Sequence, residues 1–158
     1  MSAAAGKYLT FFLGAEEYGM EILAVHEIIG VLPITRIPRT PPFVRGVINL
    51  RGRVISILDL RRKFDLPAAE PGPTSCIIVV VAHAAHVGLL VDRVSEVADI
   101  AAGDIEPPPP LGGGSHTTYL VGIAKSAARV RLLLDISRVI DAGDLAAAGP
   151  DGGAPTAA

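Results

Sequence analysis

An internal duplication restricts the fold of this chain more than any other feature of its sequence. Residues 54–60 (VISILDL) recur as residues 130–136 (VRLLLDI), and Gly19 has the same place in its copy as Gly88. The copies are about 70 residues apart, a period typical of a repeated structural unit. The spacing grows toward the C-terminus because residues 107–118 (PPPPLGGGSHTT) are longer than their counterpart.

Each copy consists mainly of short strands followed by one helical turn. Hairpins are predicted at 8–22 and 76–91, and β-branched residues dominate 54–58, a composition that favours a pleated and largely buried strand. Asp59 and Asp135 stand where they would cap a short helix in each copy. Two such copies predict a mainly β fold of two similar small β-barrels placed side by side.

The tip of one predicted hairpin differs between the copies. In the first copy the turn is Asn49-Leu50-Arg51-Gly52, where Asn49 and Gly52 are expected to take positive φ and Arg51 is displayed at the tip. The second copy has residues 125–128 (KSAA) at this place. The first copy is therefore predicted to carry a binding surface that the second has lost.

The predicted organisation has five segments. Residues 1–6 are expected to be a flexible N-terminus, 7–66 the first barrel, 67–73 (PAAEPGP) a linker, 74–141 the second barrel, and 142–158 a disordered tail. The two barrels, 7–141, are expected to share an interface and to act as one unit.

The distribution of charge favours protein partners over nucleic acid or membranes. The net charge is −2, yet eight basic residues lie between Arg36 and Lys63 with only Asp59 opposing them. Cys76 is the single cysteine, which excludes an internal disulfide and favours a reducing compartment. Without a signal peptide or a run of ~20 apolar residues, the chain is predicted to be soluble and cytoplasmic, with no direct insertion into a membrane.

The residues that resemble enzymatic motifs do not have the sequence context that those motifs require. His83 and His86 have the spacing of a metal pair but fall in a predicted hairpin turn, where solvated side chains are expected. Cys76 is predicted to be a structural thiol in a buried strand. Gly112, Gly113 and Gly114 precede no helix, so they lack the context of a phosphate-binding loop. We therefore predict a non-enzymatic protein without metal or cofactor.

A nucleic-acid-binding barrel is a remote alternative. Small β-barrels do bind oligonucleotides, and the basic stretch is suited to a phosphate backbone. Such barrels usually present stacking aromatic side chains beside the basic residues. Here Phe43 and Phe64 are the aromatics nearby, and both are predicted to face the core.

Two longer stretches are closely similar to a known family. Residues 18–28 (YGMEILAVHEI) and 42–52 (PFVRGVINLRG), with 57–61 (ILDLR), resemble the chemotaxis coupling family CheW. The resemblance continues through 87–97 (VGLLVDRVSEV), 105–109 (IEPPP) and 119–122 (YLVG). It covers about 7–140. The resemblance implies two tandem five-stranded β-barrels resembling SH3 domains. It also implies a non-enzymatic adaptor that couples transmembrane chemoreceptors to the regulatory domain of the histidine kinase CheA, recruited to receptor arrays at the inner face of the membrane, where further CheW copies can form rings.

The resemblance also implies a receptor-binding groove in the first barrel. Its predicted residues are Ile22, Val25, Glu27, Asn49, Arg51 and Gly52. For Ile22 and Val25, plain barrel core is an equally good interpretation, and for Glu27 with Arg51 the alternative is a solvated salt bridge.

The kinase contacts are not specified by the resemblance, and we predict them at exposed barrel ends. The residues are Arg36, Ile37, Arg39, Asp99 and Glu106. An adaptor of a non-flagellar chemosensory pathway, controlling surface motility or gene regulation, would have the same fold and remains an alternative at this point.

Overall fold

The computed structural model describes residues 5–67, 69–108, 119–126 and 129–140, and strands make up most of its regular structure. In chain order the strands are β1 (Gly6–Leu13), β2 (Glu16–Glu21), β3 (Val25–Gly30), β4 (Val44–Leu50), β5 (Arg53–Asp59), β6 (Cys76–Ala82), β7 (Ala85–Val91), β8 (Arg93–Ile100), β9 (Ile105–Glu106), β10 (Leu120–Ser126) and β11 (Arg129–Leu134). The helices are single turns: α1 (Leu60–Lys63), α2 (Ile136–Val139) and two 3-10 turns, Ile22–Ala24 and Ala102–Asp104.

The strands form two sheets. Sheet 1 has five strands in the order β3-β6-β7-β5-β4, and sheet 2 has six in the order β8-β1-β2-β11-β10-β9. Neighbours are antiparallel except for the β5–β7 pair in sheet 1 and the β11–β2 pair in sheet 2. The predicted mainly β class, with two small sheets of the SH3-like kind, is confirmed.

The two sheets do not coincide with the two halves of the chain. The β1–β2 hairpin lies in sheet 2 between β8 and β11, and the β6–β7 hairpin lies in sheet 1 between β3 and β5. The prediction of one barrel from 7–66 and another from 74–141 is therefore corrected, because the copies have exchanged their hairpins. Both hairpins have the same apolar pattern, so local sequence does not distinguish the exchanged arrangement from the unexchanged one.

The duplication nevertheless holds residue by residue. In sheet 2 Gly19 lies opposite Leu133, and in sheet 1 Gly88 lies opposite Ile57. Both glycines therefore sit in the middle of a parallel pair, and each lies against a large side chain of the neighbouring strand. The structure thus relates the two sheets by the same offsets that relate the copies in sequence.

Three apolar clusters stabilise this arrangement. The largest lies between the sheets and includes Phe11 and Met20 from sheet 2 with Leu58 and Leu89 from sheet 1. A second cluster fills the inside of sheet 1 and a third the inside of sheet 2. Because the shared cluster is the largest, the two sheets form one unit, and burial of its apolar surface at about 25 cal/mol per Å² is the main source of their mutual stability.

Sheet 1 is curled so that its two edge strands, β3 and β4, are joined at both ends. At one end Thr35, which follows β3, exchanges backbone hydrogen bonds of 2.8 and 2.9 Å with Val47 of β4. This approach requires a glycine at position 46, where φ is +140° and a Cβ would lie 2.1 Å from the carbonyl oxygen of Thr35. At the other end an ion pair between Glu27 and Arg51 connects the same two strands.

Both predicted helix caps are confirmed. The Asp59 carboxylate accepts a hydrogen bond of 3.0 Å from the backbone N–H of Arg61, and that of Asp135 accepts one of 2.9 Å from Ser137. Each helix is thereby fixed to the end of the strand before it.

Several predictions concern the ends and loops of the chain. Gly6 already belongs to β1, so the predicted flexible N-terminus is wrong at its last residue, while residues 1–4 lie outside the described part. The described residues between 67 and 73 include no helix or strand. The predicted tail at 142–158, the glycine run at 112–114 and the second-copy turn at 127–128 lie outside the described residues.

Candidate functional site

The turn between β4 and β5 holds Arg51 in a rigid position. Leu50 pairs with Arg53, so the loop has two residues, Arg51 with φ +52° and Gly52 with φ +86°. Positive φ at both positions is the geometry that suits the twist of a hairpin. The predicted positive φ at Asn49 is wrong because Asn49 is still part of β4; its side-chain Oδ1 instead accepts a 2.8 Å hydrogen bond from the Gly52 N–H.

Arg51 and Glu27 form an ion pair across the gap between β4 and β3. The Arg51 side chain is 66% exposed, whereas that of Glu27 is 27% exposed. An exposed pair of this kind contributes at most about 1 kcal/mol to stability. The pair therefore fixes where the two charges stand, while the fold depends little on it.

An open cleft of about 360 Å³ lies at this end of sheet 1. We call it the Arg51 cleft; it is lined by His26, Glu27, Leu50, Arg51, Arg53, Ile55, Val79 and His86. Its apolar floor comes from side chains that also pack inside sheet 1, and its rim carries the charged and imidazole groups. Glu27 and Arg51 were predicted from the sequence; His86 and Arg53 were not.

Ile22 and Val25 lie on the same chain segment but do not line the Arg51 cleft. Both are partly buried and pack against the cluster between the sheets. Leu23, between them, is 91% exposed. Of the six predicted receptor-binding residues, Asn49, Arg51 and Gly52 lie at the β4–β5 turn, and Glu27 of β3 pairs with Arg51. The two apolar residues are partly buried in the segment at the start of β3.

The two histidines predicted to be solvated in a turn have other surroundings. His86 belongs to β7, and its ring makes an edge contact with His26, with the centroids 4.7 Å apart. His83 does lie in the turn, but its Nε2 is 2.6 Å from the carbonyl oxygen of Ile140 and so donates a hydrogen bond to the end of α2. They thus face different partners and do not form a pair. The sequence did contain a signal for His86: it is equivalent, in the duplication, to Glu17 of the other copy.

The equivalent end of sheet 2 is closed by an internal network of charges. Glu17 lies 2.6 Å from Arg129 and 3.2 Å from the Nε of Arg131. Arg131 in turn lies 2.5 Å from Glu96, whose backbone N–H donates to the hydroxyl of Thr10. Glu17 and Arg131 are buried, so each balances the charge of the other, although the Arg131 Nε and the facing Glu17 Oε2 make no hydrogen bond.

The environment of Glu17 keeps it ionised. Burial by itself would raise the pKa of the carboxyl, but hydrogen bonds from Arg129 and Thr10 and the charge of Arg131 outweigh it and hold the pKa below its ordinary value. Two arginines and two glutamates thus neutralise one another at this end. Within the described residues, equivalent ends of the two sheets therefore differ: ion pairs fill the end of sheet 2, whereas an open cleft lies at the end of sheet 1.

The predicted kinase-binding residues form two separate patches. Arg36, Ile37 and Arg39 line a second cleft, about 690 Å³, on the segment that connects β3 to β4, together with Arg45 and Arg62. Among the described residues, Arg45 is the one arginine of this cleft with a carboxylate within ion-pair distance. The other two predicted residues belong to sheet 2: Asp99 on β8 and Glu106 on β9.

Both acidic residues of the second patch are held by ion pairs. Asp99 lies 2.9 Å from the ammonium of Lys7, and Glu106 pairs with Lys125. All four side chains are well exposed, so these pairs exchange readily with charges of a partner. The first patch is basic and the second is mixed in charge.

The remaining chemical groups have structural surroundings. Cys76 is half-buried, and burial raises the pKa of its thiol, which disfavours the reactive thiolate. The described residues contain no group of three or more His, Cys, Asp or Glu side chains placed to hold a metal ion. In the same part of the chain, no helix has both the length and the hydropathy to span a membrane.

The chain is similar to known proteins over most of its length. The family model described as CheW-like domain matches residues 7–144. The chemotaxis protein CheW of Klebsiella aerogenes is 39% identical over 140 residues, covering 89% of this chain and 84% of that protein. The chemotaxis protein CheW of Rhizobium meliloti is 36% identical over 131 residues, covering 83% of this chain and 84% of its own length.

A solved structure has the same fold. The crystal structure of the scaffolding protein TtCheW from Thermoanaerobacter tengcongensis superposes with a TM-score of 0.80 at 35% identity, and the match covers 89% of this chain and 95% of the other.

Proposed function

This chain belongs to the CheW family of chemotaxis scaffold proteins, and we propose that it couples the cytoplasmic tips of transmembrane chemoreceptors to the regulatory domain of the histidine kinase CheA. It acts in the cytoplasm, at the inner face of the membrane, as a protein that binds both partners and catalyses no reaction itself. The Arg51 cleft and the surface beside it take the receptor.

One observation carries this assignment of the receptor side. The two ends of a duplicated structure have diverged: charges of the chain itself close one end, whereas the other displays Arg51 on a rigid two-residue turn beside an open cleft. A scaffold gains little stability from an exposed arginine whose ion pair contributes at most about 1 kcal/mol. The open end is therefore better explained by binding than by folding.

The surface suits a helical partner. Leu23 is almost fully exposed, and Ile22 and Val25 beside it are only partly buried, so they offer apolar contacts to the apolar stripe of a helix. Arg51 and Glu27 then stand at the edge of that contact, where charges fix the orientation of a partner more than they add affinity. The exposed Glu27–Arg51 pair can open to charges on the helix at little cost.

The kinase is assigned to the patches that contain the predicted residues. The cleft with Arg36, Ile37 and Arg39 has four arginines and one carboxylate, Glu70, among its described lining residues, and Arg45 alone of these arginines lies within ion-pair distance of a described carboxylate. The cleft therefore suits an acidic surface. The mixed patch with Asp99 and Glu106 lies on the other sheet and suits a second contact. Separate patches allow receptor, kinase and a further copy of this chain to bind together in a ring.

The substitution Arg51→Glu tests the receptor assignment. It places two carboxylates where an ion pair stood, at an exposed turn, so we expect the thermal midpoint to fall by only about 2–4 °C. We expect receptor-dependent activation of the kinase to be lost in a reconstituted mixture of receptor membranes, kinase and this protein. Binding to the kinase alone should be unchanged.

The matched control is Arg138→Glu, which reverses a charge of another exposed ion pair, that of Arg138 with Asp135 on α2. This variant should activate the kinase as the unmodified protein does. Normal activation by folded Arg51→Glu would contradict the assignment of Arg51, and equal loss by both variants would show that overall charge is responsible.

A further inference from the structure

Comparing the closed end of sheet 2 with the open end of sheet 1 indicates which chemical group would complete the open end. The strand registers match between the sheets: Thr10 faces Gly19 in one hairpin as Val79 faces Gly88 in the other. Carried to the ends of the strands, this register defines equivalent positions. The equivalent pairs are Glu17 and His86, Arg129 and Arg53, Arg131 and Ile55, and Glu96 and Glu27.

The two ends differ at two of these four pairs: His86 takes the place of the carboxylate Glu17, and Ile55 takes the place of Arg131. At the closed end, Arg129 is neutralised by Glu17, with 2.6 Å between the groups. At the open end, Arg53 stands in the place of Arg129, but the place of Glu17 is taken by His86. Among the described residues, Glu27 is the one carboxylate that lines the Arg51 cleft, whereas Arg51 and Arg53 both line it. One positive charge therefore has no counter-charge in the described part of the lining.

The contact that replaces the missing carboxylate is a weaker one. The Nη1 of Arg53 lies 2.6 Å from Nδ1 of His86. A guanidinium only donates hydrogen bonds, so Nδ1 must accept and the ring is neutral in this contact. A carboxylate is a stronger acceptor for arginine than a neutral ring because both oxygens can bind the two parallel N–H groups and the charges attract.

We propose that the Arg51 cleft binds a carboxylate side chain of the docking protein, held by Arg53 at the position that Glu17 has in the other sheet. The cleft volume of about 360 Å³ accommodates one such side chain. Its methylene groups would lie on Leu50, Ile55 and Val79. This proposal rests on the proposed function only for the identity of the partner, which is the receptor tip; the chemistry of the site comes from the chain itself.

The binding of acetate to the purified full chain tests the site without receptor or kinase. Acetate replaces chloride at constant ionic strength and pH 7, and the ring-proton chemical shifts of His26 and His86 are followed by NMR. We expect saturable shifts of both rings, with little change at His83. Inorganic phosphate, titrated in the same way, distinguishes a carboxylate site from a general oxyanion site.

The substitution His86→Glu restores the missing carboxylate within the chain. Since Glu17 has this arrangement in the other sheet, we expect the variant to fold and the new carboxylate to pair with Arg53. The affinity for acetate, followed at His26, should fall by about tenfold or more, as expected when a charged partner is already present. Arg53→Gln, which removes the donor, should also abolish acetate binding. Ala101→Glu, a change at an exposed residue just after β8, should leave it unchanged.

The outcomes separate this proposal from the proposed function. Absence of saturable shifts with acetate, or acetate binding that survives Arg53→Gln, would overturn the carboxylate site whatever the coupling assay shows. Tighter binding of phosphate than of acetate would overturn the ligand class. If acetate binds as expected but His86→Glu still couples receptor to kinase normally, the site does not take the docking partner's side chain, which equally overturns the proposal while leaving the function in place.

Discussion

Replacing Gly88 by alanine tests how the parallel strands of sheet 1 are packed. A Cβ at Gly88 would lie 2.5 Å from Cδ1 of Ile57 and 2.8 Å from Cγ2 of Ile77, and both isoleucines are fully buried. At the equivalent Gly19 the nearest atom, in Leu133, is 3.1 Å away. The same substitution therefore meets a severe overlap in one sheet and a mild one in the other.

The size of the effect follows from two opposing contributions. Overpacking a well-packed core costs about 1–3 kcal/mol. Removing a glycine from extended backbone gains about 0.4–1 kcal/mol, because the unfolded chain loses conformational freedom. For Gly88→Ala the net loss should be about 1–2 kcal/mol, which lowers the midpoint of a chain of this size by about 2–8 °C. For Gly19→Ala the two contributions nearly cancel.

Urea and thermal unfolding of both variants provide the measurement, with Ile57→Val as the second change. That substitution deletes the Cδ1 atom against which the new methyl would press, and alone it costs about 0.5–1.5 kcal/mol. In the Gly88→Ala background it should cost much less or become stabilising, so the two changes are coupled. Gly88→Ala at full stability, or strictly additive effects with Ile57→Val, would refute this packing of β5 against β7.

Two further predictions concern stability. Gly46→Ala should prevent closure of sheet 1, because its Cβ would overlap the carbonyl oxygen of Thr35 and the backbone there has a positive φ. We expect the free energy of unfolding to fall by several kcal/mol, measured as a large drop in the thermal midpoint, and near-native stability would contradict the Thr35–Val47 bridge. Hydrogen bonds from Arg61 hold the pKa of Asp92 below its ordinary value of 3.8, so their contribution to the free energy of unfolding is complete above about pH 4 and is lost as the pH falls through the lower folded pKa. On acidification over that window, Asp92→Asn should lose less stability than the unmodified chain, and parallel pH profiles of the two would contradict this.

The sequence predicted local features well because local rules control them. Asp59 and Asp135 cap their helices because a carboxylate before a helix satisfies free N–H groups wherever the helix packs. The duplication and the mainly β class followed from apolar patterns repeated in order. Glu27 and Arg51 were found through the resemblance to a family, and the structure adds that they join the two edges of one sheet.

The exchange of hairpins was beyond the reach of the sequence. The β1–β2 and β6–β7 hairpins have interchangeable apolar patterns, and both contribute side chains to the shared cluster between the sheets. For the same reason His86 was misinterpreted as a turn residue, since its neighbours Arg53 and His26 come from the first half of the chain. The prediction for the β4–β5 turn was wrong for another reason. It assumed a turn of four residues, whereas the strands pair up to Leu50 and Arg53 and leave a loop of two.

Mapping where a receptor tip binds to the chain tests the proposed function most directly. Amide and methyl chemical shifts of the labelled full chain are recorded as an unlabelled fragment of the receptor's cytoplasmic helical hairpin is added. We expect the shifts to concentrate at the open end of sheet 1, at Glu27, Arg51 and Gly52, and at Ile22 and Val25 beside it. Shifts concentrated at the closed end of sheet 2, with the Arg51 turn unaffected, would contradict the proposal that the receptor binds at Arg51.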